Sequence, residues 1–495
     1  MDLQKIKKGI KNFWYNLDKI EKLIILLLVL SFSIRLATIF YASFRGWDET
    51  VYLNLGHDLS RNPLIYSLKN MGWSDYIPSA DAVYGWPNIG FRAPLLPYLF
   101  SFFFFLKLDF FIPVIIPFIT TLSVLLVYIL GKKIFNKSVG LYSATLFSII
   151  PIHVYTSGKI WTDAFVVFFM LLTFISFWEG YENNNKKHKV LFGLFLALSL
   201  LARYTTLWIT PVFLLYFVIR DKSINFLKDK YLWQSIGVFF LCLIPWFIYG
   251  YIYYGNPLGG FIHGFKAALY WGGVQPWTYF IDNSWRIFSI VGILFLFSLL
   301  FIFIKKEFLK KNIYLLLIWF FLFSVIVISM PHKEDRFIMP VVPVICLLSG
   351  VFINKIGKLR NILFGVLCII IIISLYSSYK IEYRNSKDLT IECYKEGNRF
   401  LNSNEINSDS IIITNQDPMT HYYTGKKILV YQDPWSLVSF RDSINYNYKG
   451  RDVYMFFANY DMKMDSIIKK DLDTNFNKIF ECTKGYGYSS IYKYK

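Results

Sequence analysis

Apolar runs of membrane length recur along this chain as far as about residue 380, and no other feature constrains its fold as strongly. They cover roughly 23–41, 112–130, 139–156, 163–178, 190–219, 232–254, 285–304, 312–330, 338–354 and 361–378. A helix of about 20 apolar residues crosses a hydrocarbon core about 30 Å thick. A helix also satisfies its own backbone groups where water is absent. With 55% hydrophobic and 20% aromatic residues over 495 positions, the chain is too apolar for a soluble protein. A polytopic α-helical membrane protein is predicted.

The connectors orient it. Gly131-Lys132-Lys133, Lys186 to Lys189, Arg220-Asp221-Lys222, Lys305-Lys306-Glu307 and Lys355 to Arg360 are basic. A formal charge of +19 from 52 Lys and Arg against 33 Asp and Glu is therefore read as positive-inside topology, not as a nucleic-acid surface. The first run follows a basic N-terminus without a small-residue cleavage site, so it is expected to be a retained span. Placing all five connectors inside makes 190–219 two helices hinged near Ala202-Arg203-Tyr204. It also leaves the short run Pro94 to Leu106 re-entrant or surface-lying, within a total of about 11–13 transmembrane helices. Of five cysteines, Cys242, Cys346 and Cys368 lie in apolar runs. A Cys393–Cys482 pair stays open.

Two parts are expected: residues 1–379 as the membrane module, with 44–93 as an external loop, and 380–495 as a small extracytoplasmic α/β domain. In the latter, Ile411 to Thr414, Ile428 to Tyr431 and Val453 to Phe457 read as strands, with a helical stretch near 463–472. Turns are expected at Asn62-Pro63 and Gly85-Trp86-Pro87-Asn88.

Charge is costly near membrane depth unless paired or functional. By this topology the outer side collects Asp48, Glu49, Arg92, Lys159, Asp163, Arg203 and the cluster His332, Lys333, Glu334, Asp335, Arg336. Asp163, at the start of a span, reads either as a helix cap or as part of a site. Arg203 reads either as a snorkelling stop signal or as a ligand for an anion. Cations beside an apolar groove suit a phosphate on a lipid tail, and a carboxylate within hydrogen-bond reach can take the proton of an attacking hydroxyl. Together they suggest sugar transfer from a lipid phosphate. A transporter or flippase of a lipid-linked anion is the alternative, but it would place charges at mid-span depth, and here they sit mostly at span ends.

The ordered motifs Trp47-Asp48-Glu49-Thr50-Val51-Tyr52, Phe91-Arg92-Ala93-Pro94-Leu95-Leu96-Pro97-Tyr98, Trp161-Thr162-Asp163-Ala164 and Arg336-Phe337-Ile338-Met339-Pro340 resemble the GT-C superfamily of polyprenyl- or dolichyl-phosphate-sugar-dependent glycosyltransferases. The likeness is to the branch of protein mannosyltransferases and lipid A aminoarabinose transferases. It implies Asp48 as catalytic base, Glu49 orienting the acceptor or the loop, and Arg92 and Arg336 on the donor phosphate. It implies Asp163 as a supporting acid, and no cofactor. Phe91 stands where the aminoarabinose transferases carry an acidic metal ligand, so no metal is expected. His332-Lys333-Glu334-Asp335-Arg336-Phe337 resembles the His-Lys-Glu-x-Arg-Phe motif of dolichyl-phosphate-mannose-dependent enzymes and points to mannose. The expected function is therefore an inverting hexosyl transfer to an acceptor hydroxyl on a glycan, lipid or protein. It would take place on the extracytoplasmic side of the cell membrane.

Overall fold

The computed structural model describes residue 15 and residues 17–41, 44–68, 90–270, 273–385, 387–414, 417–430, 450–459 and 466–495. The chain divides into two compact units. The first takes in 1–40, 111–249 and 267–379, and the second 41–110, 250–266 and 380–495.

The first unit is helical. Among the described residues of the whole chain, six helices are long and apolar enough to cross a membrane: Lys19–Ile39, Asp109–Ile134, Thr162–Glu182, Lys230–Tyr254, Lys311–Ser329 and Asp335–Lys355. A seventh is a bent pair, Lys137–Ile149 with Pro151–Ser157, which turns through 59°. The protein is thus a multi-pass membrane protein. The run at 190–219 breaks where expected: Lys186–Ala202 ends at Arg203, which is extended (φ −160°, ψ 123°), and a 3-10 turn, Tyr204–Ile209, leads into Thr210–Asp221. Leu95–Phe105 is short, in keeping with the expectation for 94–106, and the run at 285–304 also makes a helix shorter than a full span, Ile290–Ile304. That is why the sequence reading counts more spans than the structure has full-length helices. Aromatic packing fills the interior: Phe174 stacks on Trp319 with centroids 3.6 Å apart, and Phe177 meets Phe192, Phe213 and Phe217.

The second unit is built on a mixed five-stranded sheet ordered β2-β1-β3-β5-β4. Its strands are β1 (Ile411–Thr414), β2 (Lys427–Val430), β3 (Val453–Ala458), β4 (Phe476–Lys484) and β5 (Gly487–Tyr494). β1 runs parallel to β2 and β3, and the β3–β5 and β5–β4 pairs are antiparallel. Alternation along the strands gives two apolar faces. Ile411, Ile413, Leu429, Val453 and Met455 pack with Leu472 and Phe476 on one. Ile412, Ile428, Tyr454 and Phe456 pack with Tyr394, Leu401 and Met419 on the other. Cys393 and Cys482 form a disulfide between helix Leu389–Leu401 and β4. The three strands read from sequence are present, although Tyr431 lies outside the described residues, and the expected helix is Ser466–Asn475.

The second apolar face also receives Phe44 and Trp47. Phe44 stacks on Tyr423, and the Arg45 amide donates to the Tyr423 hydroxyl at 2.7 Å. Helix Trp47–Arg61 follows directly, and its Asn54 side chain donates to the Pro418 carbonyl at 2.9 Å. The C-terminal sheet and the segment after the first span therefore share one core. At Gly56 any side chain would collide with helix Leu95–Phe105, since a Cβ there would lie 2.7 Å from the Phe100 Cβ.

Candidate active site

Helix Trp47–Arg61 starts at Gly46, whose amide donates to the Glu49 carboxylate at 3.1 Å. This is the return half of a capping box. The other Glu49 oxygen accepts from Arg45 Nη1 at 2.9 Å, and the side chain is 2% exposed. Glu49 is thereby a fixture of the helix end. Asp48, beside it in the same first turn, faces elsewhere: its Oδ1 accepts from Arg92 Nη2 at 2.5 Å, and it keeps 18% of its side-chain surface. Both acids sit at a helix N-terminus, where the backbone dipole favours negative charge.

Arg92 is held from several sides. Its guanidinium lies 5.3 Å from the Trp47 ring, 5.7 Å from Tyr52 and 5.3 Å from Phe91, distances at which cation–π attraction operates. Its carbonyl accepts from the Tyr66 hydroxyl at 3.1 Å, and the preceding turn is tied by the Gly90 amide donating to the Tyr254 hydroxyl at 3.0 Å. The turn at Asn62-Pro63 is present, closed by the Ile65 amide on the Asn62 carbonyl at 3.2 Å. The turn expected at Gly85-Trp86-Pro87-Asn88 lies outside the described residues.

The first unit holds a second constellation. Asp163, in the first turn of Thr162–Phe177, is 3% exposed and forms an ion pair with Arg203. Its other oxygen lies 3.9 Å from Arg336 Nε. Arg336 reaches both Glu334 oxygens, at 2.7 and 3.0 Å, and stacks 4.2 Å over the Trp161 ring. His332 Nε2 is 3.2 Å from Glu334, and Arg203 lies 5.0 Å over Phe337. Lys159 stands 5.9 Å over Tyr155, whose ring meets Trp161 edge-on. The structure therefore links Lys159, Asp163, Arg203, His332, Glu334 and Arg336. Lys333 differs: it is 4% exposed, and its amine donates to the Gln275 and Met330 carbonyls at 3.0 and 2.6 Å, clamping the loop on which its neighbours sit.

Several contributors escape a sequence reading. Asp335 takes Arg286 at 2.8 Å and the Tyr279 hydroxyl at 3.0 Å, and burial pushes that hydroxyl up to about 12, so it stays a donor. A lone arginine in Trp285-Arg286-Ile287 at the head of an apolar run was the available signal. Arg45 pairs with Glu49 at i,i+4 spacing, a local pattern that could have found it, whereas Tyr66 bonds the Arg92 carbonyl 26 residues on and no local pattern announces it.

Comparison with known proteins places this geometry. Alpha-1,2-mannosyltransferase ALG9 of Mus musculus is 27% identical over 157 residues, 28% of this chain and 24% of that protein. The Homo sapiens protein is 26% identical over 163 residues, 29% of this chain and 26% of its own length. The alignments thus span about a quarter of the curated relatives. In three dimensions the chain is similar to ArnT from Cupriavidus metallidurans bound to undecaprenyl phosphate, with TM-score 0.71, 10% identity and coverage of 95% of this chain and 98% of that one. It is also similar to the Archaeoglobus fulgidus oligosaccharyltransferase, with TM-score 0.60, 14% identity and coverage of 90% and 70%. At those identities the likeness is one of fold, the GT-C fold expected from the motifs. The profile of the Alg9-like mannosyltransferase family matches residues 86–417, a span that begins after Asp48 and holds Arg92, Asp163, Arg203 and the 332–336 cluster. Matched over more than half its length, the chain belongs to the Alg9-like mannosyltransferase family.

Proposed function

We propose that this protein is a membrane mannosyltransferase that moves mannose from a polyprenyl or dolichyl phosphate carrier to an acceptor hydroxyl, with inversion. Asp48 is the general base. The observation that carries the assignment is the division of labour between neighbours: Glu49 is engaged in closing its helix, whereas Asp48 keeps accessible surface beside a cation.

The acceptor hydroxyl approaches Asp48, loses its proton to the carboxylate and attacks the anomeric carbon. The bond to the lipid phosphate breaks on the opposite face. The departing group is already an anion, so guanidinium groups stabilise it without a general acid. By the motif likeness Arg92 and Arg336 are each assigned to that phosphate, since a planar fork can bond a carboxylate and a phosphate together. Lys159 and Arg203 add positive charge; Asp163 holds Arg203, and Glu334, within reach of His332, holds Arg336. The chain's own residues supply this chemistry without a metal or cofactor.

A lipid-phosphate donor is supported by the fold neighbour bound to undecaprenyl phosphate, and mannose by the family and its ALG9 relatives. The disulfide supports an oxidising, extracytoplasmic setting for the second unit, with 380–495 forming an accessory domain to the membrane module. The test is transfer from radiolabelled dolichyl-phosphate-mannose into native membrane lipid, glycan and protein fractions. Wild type is expected to move label and Asp48→Asn to fail at matched expression; equal transfer by both removes Asp48 from the chemistry.

A further inference from the structure

The bent pair Lys137–Ile149 and Pro151–Ser157 is open at its middle. Ile150 is extended (φ −62°, ψ 130°) and Pro151 has no amide to donate, so the end of the first helix presents carbonyls without helical partners. Arg35, from the first span, meets them. Its side chain is fully buried, and Nη1 donates to the Ser148 carbonyl at 3.1 Å and to the Ser31 hydroxyl at 2.5 Å. Nη2 lies 2.7 Å from His153 Nδ1. That nitrogen also lies 3.2 Å from the Phe147 carbonyl at the end of the first helix. Arg35 thus bonds both helices of the pair across the break.

A cation at a helix C-terminus complements the negative end of the backbone dipole. Among the described residues no carboxylate partners Arg35, so the backbone and the imidazole are what it serves. One turn further along the same span, the Thr38 hydroxyl donates to the Arg35 carbonyl at 2.6 Å. Gly158 packs on Thr38 so closely that a Cβ there would lie 2.6 Å from the Thr38 hydroxyl oxygen. The first span therefore grips Pro151–Ser157 at both ends, and the chain leaves that grip directly into Lys159, Trp161 and Asp163.

We propose that Arg35 is a positioning residue for the donor site: it caps the broken helix from a neighbouring span and so fixes the 158–163 turn that presents Lys159, Trp161 and Asp163. The role rests on the reading of that turn as part of the phosphate site. It differs from general stability, because the grip acts on one short segment.

The experiment uses the full-length chain in membranes. A cysteine placed at position 159 is labelled with an impermeant maleimide, and the labelling of the parent chain is subtracted. Arg35→Met is expected to speed labelling severalfold, and Arg35→Lys, which keeps a cation at the helix end, to restore part of the parent rate. In chains with native Lys159, Arg35→Met is expected to raise the KM for the lipid-phosphate donor about tenfold while the acceptor KM stays within about twofold. Unchanged labelling overturns the proposal, as does a parallel rise of both KM values. Should Arg35→Met not accumulate folded protein, Gly158→Ala, which keeps the charge and disturbs the Thr38 contact, decides by the same labelling. Should the parent itself transfer no sugar, the reading of the site fails, while labelling still decides whether Arg35 fixes the turn.

Discussion

The two acidic centres of this protein are built in opposite ways. Asp163 is almost completely buried, paired with Arg203 and close to Arg336, which Glu334 holds as well. Asp48 keeps part of its surface and sits beside Arg92 at a helix start. Burying a charge within a network fixes it in place at a desolvation cost, whereas a proton acceptor has to be reached by the group it deprotonates. The proposed roles follow that contrast, holding for the first centre and proton transfer for the second.

Substitutions can break that contrast. Asp48→Asn keeps the shape and removes the base, so kcat is expected to fall by about 10²–10⁴ with unchanged thermal stability in detergent; a stable, fully active variant would reverse the assignment. Asp163→Ala strands buried cations and is expected to cost about 3–5 kcal/mol of stability. The loss would register as a lower melting temperature as well as lost turnover, and a turnover defect without a stability defect would make the two centres alike. Arg336→Lys keeps the charge but loses the fork over Trp161 and Glu334, and a donor KM raised about tenfold with little change in kcat is expected. The smallest effect on kcat is expected of Glu49→Gln, which weakens both the cap and the buried Arg45 pair and is expected to cost about 3–5 kcal/mol of stability, with kcat within a few fold of wild type. A kcat defect matching that of Asp48→Asn would put Glu49 in the chemistry.

The kinds of residue at each centre were legible before any coordinates, because charge beside apolar runs stands out. Roles came only from the motif resemblance, which named Asp48 as base. Asp48 and Glu49 themselves are neighbours of like chemistry, and what distinguishes them in the structure is the Gly46 amide and the Arg45 guanidinium, both bonded to Glu49. Lys333 looks like its basic neighbours in sequence, yet its partners are carbonyls, which a sequence does not display. Arg35 lay unnoticed within an apolar run. Membrane helices were read from hydropathy, but the break at Ile150 was not, although Pro151 marked it. In the C-terminal domain the short apolar strands were visible, whereas the hairpin of β4 and β5 was missed. Most of β4's side chains are exposed or half-buried, so it lacks the apolar signature of a central strand.

The contact between Asn54 and Pro418, and that between Arg45 and Tyr423, bridge separations of 364 and 378 residues. Seen from the ribosome, the helix that carries Asp48 is made long before its packing partners. Non-local contacts of this kind form late, after their loop-closure entropy has been met. A chain still lacking residues 418–423 can therefore insert its membrane helices while the seat of Asp48 is unformed. Synthesis of that later segment becomes, in effect, the step that seats Asp48.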